Sequence, residues 1–325
     1  MIFPWQKNLW DQLQTRQARQ PHALLIHGPA GIGKLALAEH YAQSLLCESR
    51  RPIESPCGEC EGCRWYLAGS HPDFRRVEPE SLARRSETDE DPVEPAPATA
   101  KTAKASNEIK VDQVRALDGF LNLMSHRGGR RVALVHPAED MNPSAANALL
   151  KGLEEPPAGA IFLLVSHRPA RLLATVRSRC VAVPIPVPDA AASAAWLARQ
   201  GVKDASAWLP FASGAPIRAL QYAQGSGEVL AQMRKDLQAR DPGALGAVND
   251  RERLEALAEI LQKHALDVAF ASYCGKPKYG EAKASGNAAV WLSYARRAGR
   301  NRMLARHPLN PRLFAGQMLA EMPKD

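Results

Sequence analysis

The stretch that decides the fold is Ala23-Leu-Leu-Ile-His27 followed by Gly28-Pro-Ala-Gly-Ile-Gly-Lys34-Leu35. The apolar run predicts a buried strand, and the second part fits the pattern G-x-x-x-x-G-K where a strand passes into a helix. In such a turn, backbone N–H groups and the N-terminus of the helix surround phosphate groups, and Lys34 reaches the outer ones. The sequence therefore predicts a phosphate loop with Gly28, Gly31, Gly33 and Lys34 as nucleotide contacts.

The rest of the first half alternates strands with helices. Apolar runs predict further strands at 132–135, 161–165 and 181–185, and 74–77 is another candidate strand. Apolar residues recur at helical spacing in 35–47 and 111–125, and prolines mark the two ends of a helix at 143–155. Strands that alternate with helices are typical of an α/β fold, a parallel sheet with helices on both faces. Beyond Pro188 the pattern is helical throughout.

Both magnesium ligands that a phosphate-loop enzyme needs are missing. The residue after the lysine should be Ser or Thr, and the strand at 132–135 should end on an acidic residue. This chain has Leu35 and His136 at those positions, and Glu139 and Asp140 follow too late, in a turn. We therefore expect no hydrolysis and no magnesium. Weak ATP binding through Lys34 and a loop that binds nothing both stay open.

Four of the six cysteines lie close together, as Cys47-x9-Cys57-x2-Cys60-x2-Cys63. Four thiolates at this spacing suit a closed, tetrahedral, structural zinc site, and Gly58 and Gly62 ease the turns between the ligands. An iron–sulfur cluster could use the same ligands. Because a closed site has no open coordination position, we assign the metal no catalytic role.

Composition places limits on the remaining possibilities. The chain has 325 residues, enough for two or three domains, and 45% hydrophobic residues, which is ordinary for a globular protein. Its net charge of +8 allows an acidic partner. No apolar run reaches the length of a membrane helix, and the N-terminus does not read as a signal peptide, so a cytoplasmic protein without membrane partners is expected. Residues 78–108 are rich in Glu, Asp, Pro, Ala and Thr, which predicts a disordered surface insertion.

Two longer motifs suggest a family. The segments Asn142-Pro-Ser-Ala-Ala-Asn-Ala-Leu-Leu-Lys-Gly-Leu-Glu-Glu-Pro-Pro157 and Leu172-Leu-Ala-Thr-Val-Arg-Ser-Arg-Cys180 resemble signatures of bacterial clamp-loader AAA+ subunits. The degenerate magnesium ligands resemble the delta-prime branch of that family. So do Pro4-Trp5, His71-Pro-Asp-Phe74 and Pro308-Leu-Asn-Pro-Arg-Leu-Phe314.

The resemblance implies three domains: a RecA-like AAA+ domain at 1–187 with the zinc module at 47–63, a helical lid at 188–228, and a helical collar at 229–325. It implies a non-hydrolysing stator of the DNA polymerase III clamp loader, itself without ATPase or polymerase activity. The partners would be the ATPase subunits (gamma/tau) and the delta subunit in a hetero-pentamer. Through that complex the chain would meet the sliding clamp and primer-template DNA.

The resemblance also assigns roles to arginines. Ser178-Arg179-Cys180 matches the S-R-C motif of the family, whose arginine reaches the ATP of a neighbouring subunit, and Arg179 fits this role better than Arg177. Ser213-Gly-Ala-Pro-Ile-Arg218 resembles the sensor-2 segment. Its arginine would either contact nucleotide or tie the lid to the first domain.

Several alternatives remain at this point. The five arginines of the collar could bind DNA, contact another subunit or form a solvated face, and the last is the usual meaning of such a run: Arg296, Arg297, Arg300, Arg302 and Arg306. The whole chain could instead be an ATP-hydrolysing motor subunit like gamma/tau, which Leu35 and His136 disfavour. A zinc-dependent nucleic-acid-binding module is disfavoured because the cysteines interrupt a nucleotide fold.

Overall fold

The computed structural model describes residues 2–15, 21–49, 56–83, 105–123, 125, 129–202, 204–224, 227–239, 248–280, 282–305 and 309–323. The chain forms two compact units, Met1–Val187 and Pro188–Asp325. Within the described ranges, no helix is both long and apolar enough to cross a membrane.

The first unit is an α/β structure, as predicted, and short 3-10 turns at Pro4–Gln6 and Ala138–Asp140 join some of its elements. Its helices and strands are α1 (Lys7–Thr15), β1 (Ala23–His27), α2 (Lys34–Leu46), α3 (Glu61–Leu67), β2 (Phe74–Val77), α4 (Val111–Asn122), β3 (Arg131–Val135), α5 (Pro143–Glu154), β4 (Ala160–Ser166), α6 (Ala174–Ser178) and β5 (Val181–Pro184).

The five strands form one parallel sheet in the order β2-β3-β4-β1-β5. Strand β4 lies between β3 and β1, so that Leu164 is opposite Val135 on one side and Leu25 on the other. Because the strands are parallel, their carboxyl ends share one edge of the sheet, where ligands bind in folds of this kind. This confirms the predicted strands and fold class and places the phosphate loop at that edge.

The core of the first unit follows from its apolar strands. Every residue of β3 and β4 is buried, and helices α4 and α5 pack against each other beside them. Helix α5 begins as its sequence predicts, because the side chain of Asn142 accepts a hydrogen bond from the Ala145 N–H at 2.8 Å and Pro143 occupies the first turn. A buried, well-packed sheet therefore supports the residues that follow β3 and β4 at its edge.

The predicted insertion at 78–108 lies for the most part outside the described residues. Its two ends, 78–83 and 105–108, are described and contact each other: the N–H of Ser81 donates to the carbonyl of Ser106 at 3.1 Å, and the N–H of Ser106 donates to Glu80 at 3.2 Å. Ordered structure therefore extends further into this segment, from both sides, than the sequence predicts.

In the part of the second unit that the structure describes, every regular element is a helix. Its helices are α7 (Ala190–Arg199), α8 (Ala205–Phe211), α9 (Pro216–Gln224), α10 (Gly227–Ala239), α11 (Arg251–Cys274), α12 (Ala288–Leu304) and α13 (Pro311–Ala320).

Two hydrophobic clusters stabilise this unit. One is centred on Leu197 and Leu209 of α7 and α8, and the larger one includes Leu257 of α11 and Trp291 of α12. Trp208 and Tyr222 pack against both clusters, so the two share a boundary. The finer division into a lid at 188–228 and a collar at 229–325 stays a prediction.

Candidate functional site: phosphate loop, cysteine cluster and arginines

The phosphate loop has the backbone that its glycines predict. Gly28, Gly31 and Gly33 all have positive φ angles, of 148°, 78° and 86°. A Cβ atom on Gly28 would lie 2.3 Å from the Ile185 carbonyl oxygen, and one on Gly33 would lie 2.4 Å from the Phe3 ring. The turn therefore tolerates only glycine at these two positions.

The N-terminal segment covers this loop, which the sequence did not predict. The indole of Trp5 donates to the Ile32 carbonyl at 3.0 Å, and the amide of Gln6 donates to the carbonyls of Ile32 at 3.1 Å and Gly33 at 2.9 Å. The rings of Phe3 and Trp5 stack with centroids 4.9 Å apart. The only sequence signal was Pro4-Trp5, which the family resemblance noted without a structural role.

The lysine of the loop points back into the loop. Lys34 is only 2% exposed, and its Nζ donates to the carbonyl of Pro29. Burial, partly opposed by the charge of Glu139, lowers its pKa to about 8. Among the residues that the structure describes, no carboxylate forms an ion pair with Lys34. The loop therefore holds a buried cation that a phosphate group could compensate.

His136 lies where a magnesium-binding acid would be expected, directly after β3. Its Nε2 is 3.2 Å from Nε2 of His167, which follows β4, and the ring planes are nearly perpendicular. Burial lowers the pKa of His136 to about 3 and of His167 to about 4, with Lys34 contributing to both. Both imidazoles are therefore neutral at neutral pH.

Glu139 does not replace the missing acid. Its carboxylate accepts the backbone N–H of His167, at 2.9 Å and 3.2 Å for the two oxygens. His167 was not among the site residues predicted from the sequence. A polar residue directly after the apolar run 161–165 was an available signal, because neighbouring parallel strands end at the same edge.

The four cysteines come together as predicted. All four Sγ atoms lie within 4.8 Å of one another, with pairs at 3.6 Å (Cys47 and Cys57), 3.8 Å (Cys57 and Cys63) and 4.0 Å (Cys47 and Cys60). A tetrahedron of thiolates about 2.3 Å from zinc has sulfur–sulfur distances of about 3.8 Å. This set of donors fits a closed metal site.

Backbone groups favour negative charge at one corner of the cluster, at Cys57, whereas burial raises the pKa of Cys47 and Cys63. The N–H of Cys60 points to Sγ of Cys57 at 3.3 Å, and the N–H of Cys63 points to Sγ of Cys60 at 3.4 Å. Hydrogen bonds from backbone N–H groups lower the pKa of Cys57 to about 6. Thiolate, the form that binds metal, is therefore favoured at this corner of the cluster.

Arg179 lies on the surface of the first unit. Its guanidinium forms an ion pair with Glu154 at 2.5 Å and donates to the carbonyl of Thr175 at 3.0 Å, and its side chain is 34% exposed. Arg177 donates to the carbonyl of Pro169 at 3.3 Å. The two arginines thus have different partners, and Arg179 is held to Glu154 at the end of α5.

Arg218 belongs to an ionic group in the second unit that we call the Glu259 cluster. Its Nη2 donates to Oε1 of Glu259 at 2.6 Å and its Nε donates to the Tyr222 hydroxyl at 2.6 Å. Contact with a nucleotide and with the first domain therefore both stay predictions. The members of the cluster are Arg218, Tyr222, Glu259, Lys263 and Arg302.

The arginines of α12 do not act alike. Arg302 pairs with Glu259 at 2.8 Å and Arg297 with Glu321 at 3.9 Å, whereas Arg296 and Arg300 are exposed. Arg306 lies outside the described residues. Arg297 and Arg302 thus form ion pairs within the second unit. Whether these arginines contact DNA or a partner stays open.

Residues 5–189, more than half of the chain, match the family model described as DNA polymerase III, delta subunit. The chain belongs to the DNA polymerase III delta' family. The protein named DNA polymerase III subunit delta' from Pseudomonas aeruginosa is 45% identical over 237 residues, which are 71% of this chain and 65% of that protein. The Escherichia coli K12 protein of the same name is 35% identical over 228 residues, which are 69% of this chain and 61% of that protein.

The delta' relatives extend beyond the aligned part: the matches span less than two thirds of the length of the Pseudomonas and Escherichia proteins. Among solved structures, a gamma subunit-related protein of DNA polymerase III from Thermotoga maritima aligns over 96% of this chain and 97% of its own, with 17% identity and a TM-score of 0.45. The delta' family predicted from the sequence motifs is confirmed by the family model and the relatives.

Proposed function

We propose that the chain is a non-hydrolysing scaffold subunit of a DNA polymerase III clamp loader and that it supplies Arg179 to the ATP of a neighbouring ATPase subunit. The observation that carries this proposal is the contrast between the two candidate ATP contacts. The loop of this chain has Leu35 and His136 in place of magnesium ligands, whereas Arg179 keeps a third of its side chain exposed. A planar guanidinium supplied in trans stabilises charge that develops on the γ-phosphate.

Glu154 has a specific part in this proposal. Its carboxylate holds Arg179 at the surface, so that the guanidinium is oriented before a partner arrives. When the neighbour presents its ATP, the phosphate competes with Glu154 for the same donors. The complex would then contain gamma/tau and delta subunits, and through it the chain would serve loading of the sliding clamp on primed DNA.

The test is reconstitution of the complex with Arg179→Ala, with Arg177→Ala as the matched control. An arginine finger contributes about 10³-fold or more to turnover at its site. We therefore expect the DNA-stimulated ATPase activity of the complex to fall by the amount that the ATP site beside this subunit contributes. Clamp loading should fall with it. If Arg179→Ala retained full ATPase activity and clamp loading, the arginine role would be wrong.

The lone chain should show no ATP turnover. The gamma/tau-like motor alternative makes the opposite prediction, so one assay separates the two. ATPase activity of the pure chain that disappears in Lys34→Ala would support the motor and contradict the scaffold.

We also propose that the metal of the cysteine cluster is zinc with a structural role. Four thiolates close the coordination shell and leave no position for a substrate. Metal analysis of chain purified without added metal should give about one equivalent of zinc. A brown protein that contains iron and labile sulfide would show a cluster of the other kind instead.

A further inference from the structure

Three histidines lie at the carboxyl ends of three adjacent strands, around the phosphate loop. His27 ends β1, His167 follows β4, and His136 follows β3, and these strands are neighbours in the sheet. The charge of Lys34 contributes to a lowered pKa at each of the three, after burial as the main cause. All three imidazoles are therefore within electrostatic reach of the lysine that would contact phosphate.

The hydrogen bond between His136 and His167 fixes where protons can be. With Nε2 atoms 3.2 Å apart, one ring donates its Nε2–H and the other accepts. The accepting ring then carries its proton on Nδ1, and the donating ring has a bare Nδ1. Both Nδ1 atoms are buried and have no hydrogen-bond partner among the residues that the structure describes. A buried N–H donor without a partner costs free energy, and a ligand can recover it.

One additional proton changes the pair in a defined way. If the bare Nδ1 takes it up from water, the Nε2 hydrogen bond stays and both rings present an Nδ1–H. A second proton cannot enter, because the two Nε2 atoms would then both carry hydrogens that face each other. The pair therefore has a capacity for one positive charge.

The charges around the pair oppose that proton in the free protein. Lys34 of α2, Arg76 of β2 and Arg168 beside His167 are positive, and Glu139 is the one acidic group that acts on the pair in the described region. A metal cation would meet the same repulsion, whereas a polyphosphate would relieve it. The environment thus favours an anion over magnesium at this edge.

We propose that the phosphate loop of this chain binds a polyphosphate without magnesium and that the His136–His167 pair takes up one proton from water on binding. This inference rests on the proposed function only in taking the loop, with Leu35 and His136, to lack magnesium ligands. The proton that the pair gains adds to the charge of Lys34, and together they supply the positive charge that a divalent cation supplies in a phosphate-loop enzyme. The ligand class is a metal-free tripolyphosphate or nucleotide.

The experiment is calorimetric titration of the full chain with tripolyphosphate, in pairs of buffers that differ in ionisation enthalpy. Magnesium is left out of the buffers and is not removed with a chelator, because a chelator would also remove metal from the cysteine cluster. We expect binding to take up about one proton in addition to any taken up by the ligand. The affinity should fall by up to about tenfold for each unit by which the pH rises, in the range where the pair titrates. Added magnesium should weaken binding by sequestering the ligand.

The variant His136→Gln/His167→Gln should lose this proton uptake and its pH dependence, while retaining the protonation of the tripolyphosphate itself. His22→Gln is the matched control, because His22 precedes β1 at the opposite edge of the sheet and bonds to the carbonyl of Leu153. Binding that magnesium strengthens, proton uptake equal in the double variant, or no binding at millimolar ligand would each overturn the inference. None of these outcomes affects the Arg179 test, which needs no ligand on this loop.

Discussion

Lys34 at the phosphate loop and Lys263 in the Glu259 cluster are both buried, at 2% and 8% exposure, and burial is the main cause that lowers the pKa of each to about 8. Their surroundings differ. Lys263 pairs with Glu259 at 2.5 Å and donates to the Phe211 carbonyl at 2.6 Å, whereas Lys34 donates, within the described residues, to the Pro29 carbonyl and to no carboxylate. When a buried charge has its counter-charge, removing either partner destabilises the fold. A buried charge without a counter-charge itself lowers the stability of the fold, and such charges are common in binding sites.

The largest effect should come from removing the carboxylate of the Glu259 cluster. Glu259→Gln leaves Arg218, Lys263 and Arg302 without a counter-charge, and loss of one partner of a buried ion pair costs about 3–5 kcal/mol. Urea unfolding measures the change. Glu255→Gln, on the same helix and less buried, is the control and should cost much less.

Acid titration of the same variant sharpens this result. Burial alone would raise the pKa of Glu259, but the charges of Lys263, Arg218 and Arg302 lower it to about 2 from an ordinary 4.5. The stabilisation is thus present above pH 4.5 and is lost as the pH falls toward 2. Wild type should lose its advantage over Glu259→Gln in that window, and an advantage that persists at pH 2 would contradict the assignment.

Removal of the paired lysine should have a smaller effect of the same sign. Lys263→Met leaves Glu259 with two arginines, so that the loss is limited to one charged hydrogen bond and the Phe211 carbonyl, about 2 kcal/mol. The exposed Lys276→Met serves as control in the same urea experiment. A stabilised Lys263→Met would remove the contrast with Lys34.

Removal of the unpaired lysine should change stability in the opposite direction. Lys34→Met eliminates a buried cation that has no carboxylate partner in the described parts of the chain, and we expect a gain of about 1 kcal/mol at pH 7. The measurement is the midpoint of thermal unfolding beside the exposed Lys151→Met. A strong loss of stability would show that Lys34 is a structural residue like Lys263.

The smallest effect is the change, at alkaline pH, in the stability that Lys34→Met gains over wild type. The folded chain releases the Lys34 proton near pH 8, whereas the unfolded chain holds it to about 10.5, so wild type gains stability relative to Lys34→Met as the pH rises through this window. Unfolding of both proteins at pH 7 and pH 10 should show the difference between them shrink. A constant difference would mean that Lys34 titrates normally in the folded protein.

Much of the first unit could be predicted from the sequence because its signals are local. Continuous apolar runs predicted four of the five strands, Pro143 marked the start of α5, and the spacing of Cys57, Cys60 and Cys63 predicted that their thiols lie close together. Each of these features depends on residues within about one helical turn, so no knowledge of the sheet order is needed.

The environments of the charged groups could not be predicted in this way. The motif marked Lys34 as a phosphate contact, but nothing in the sequence showed that Lys34 and Lys263 are both buried. Only the packing of α8 and α11 brings the Phe211 carbonyl to Lys263. Likewise, His136 and His167 lie 31 residues apart and meet because β3 and β4 are neighbours in a parallel sheet.

The sequence by itself therefore determined the phosphate loop, the loss of its magnesium ligands and the four-thiol cluster, since these follow from residue identity and short spacing. The tertiary structure alone decided that Trp5 and Gln6 cover the loop, that Arg218 faces Glu259, and that two imidazoles share a hydrogen bond beside Lys34. The physical reason is that burial and the neighbouring charges depend on which distant elements pack together, and these lower the pKa of Lys34, His136 and His167.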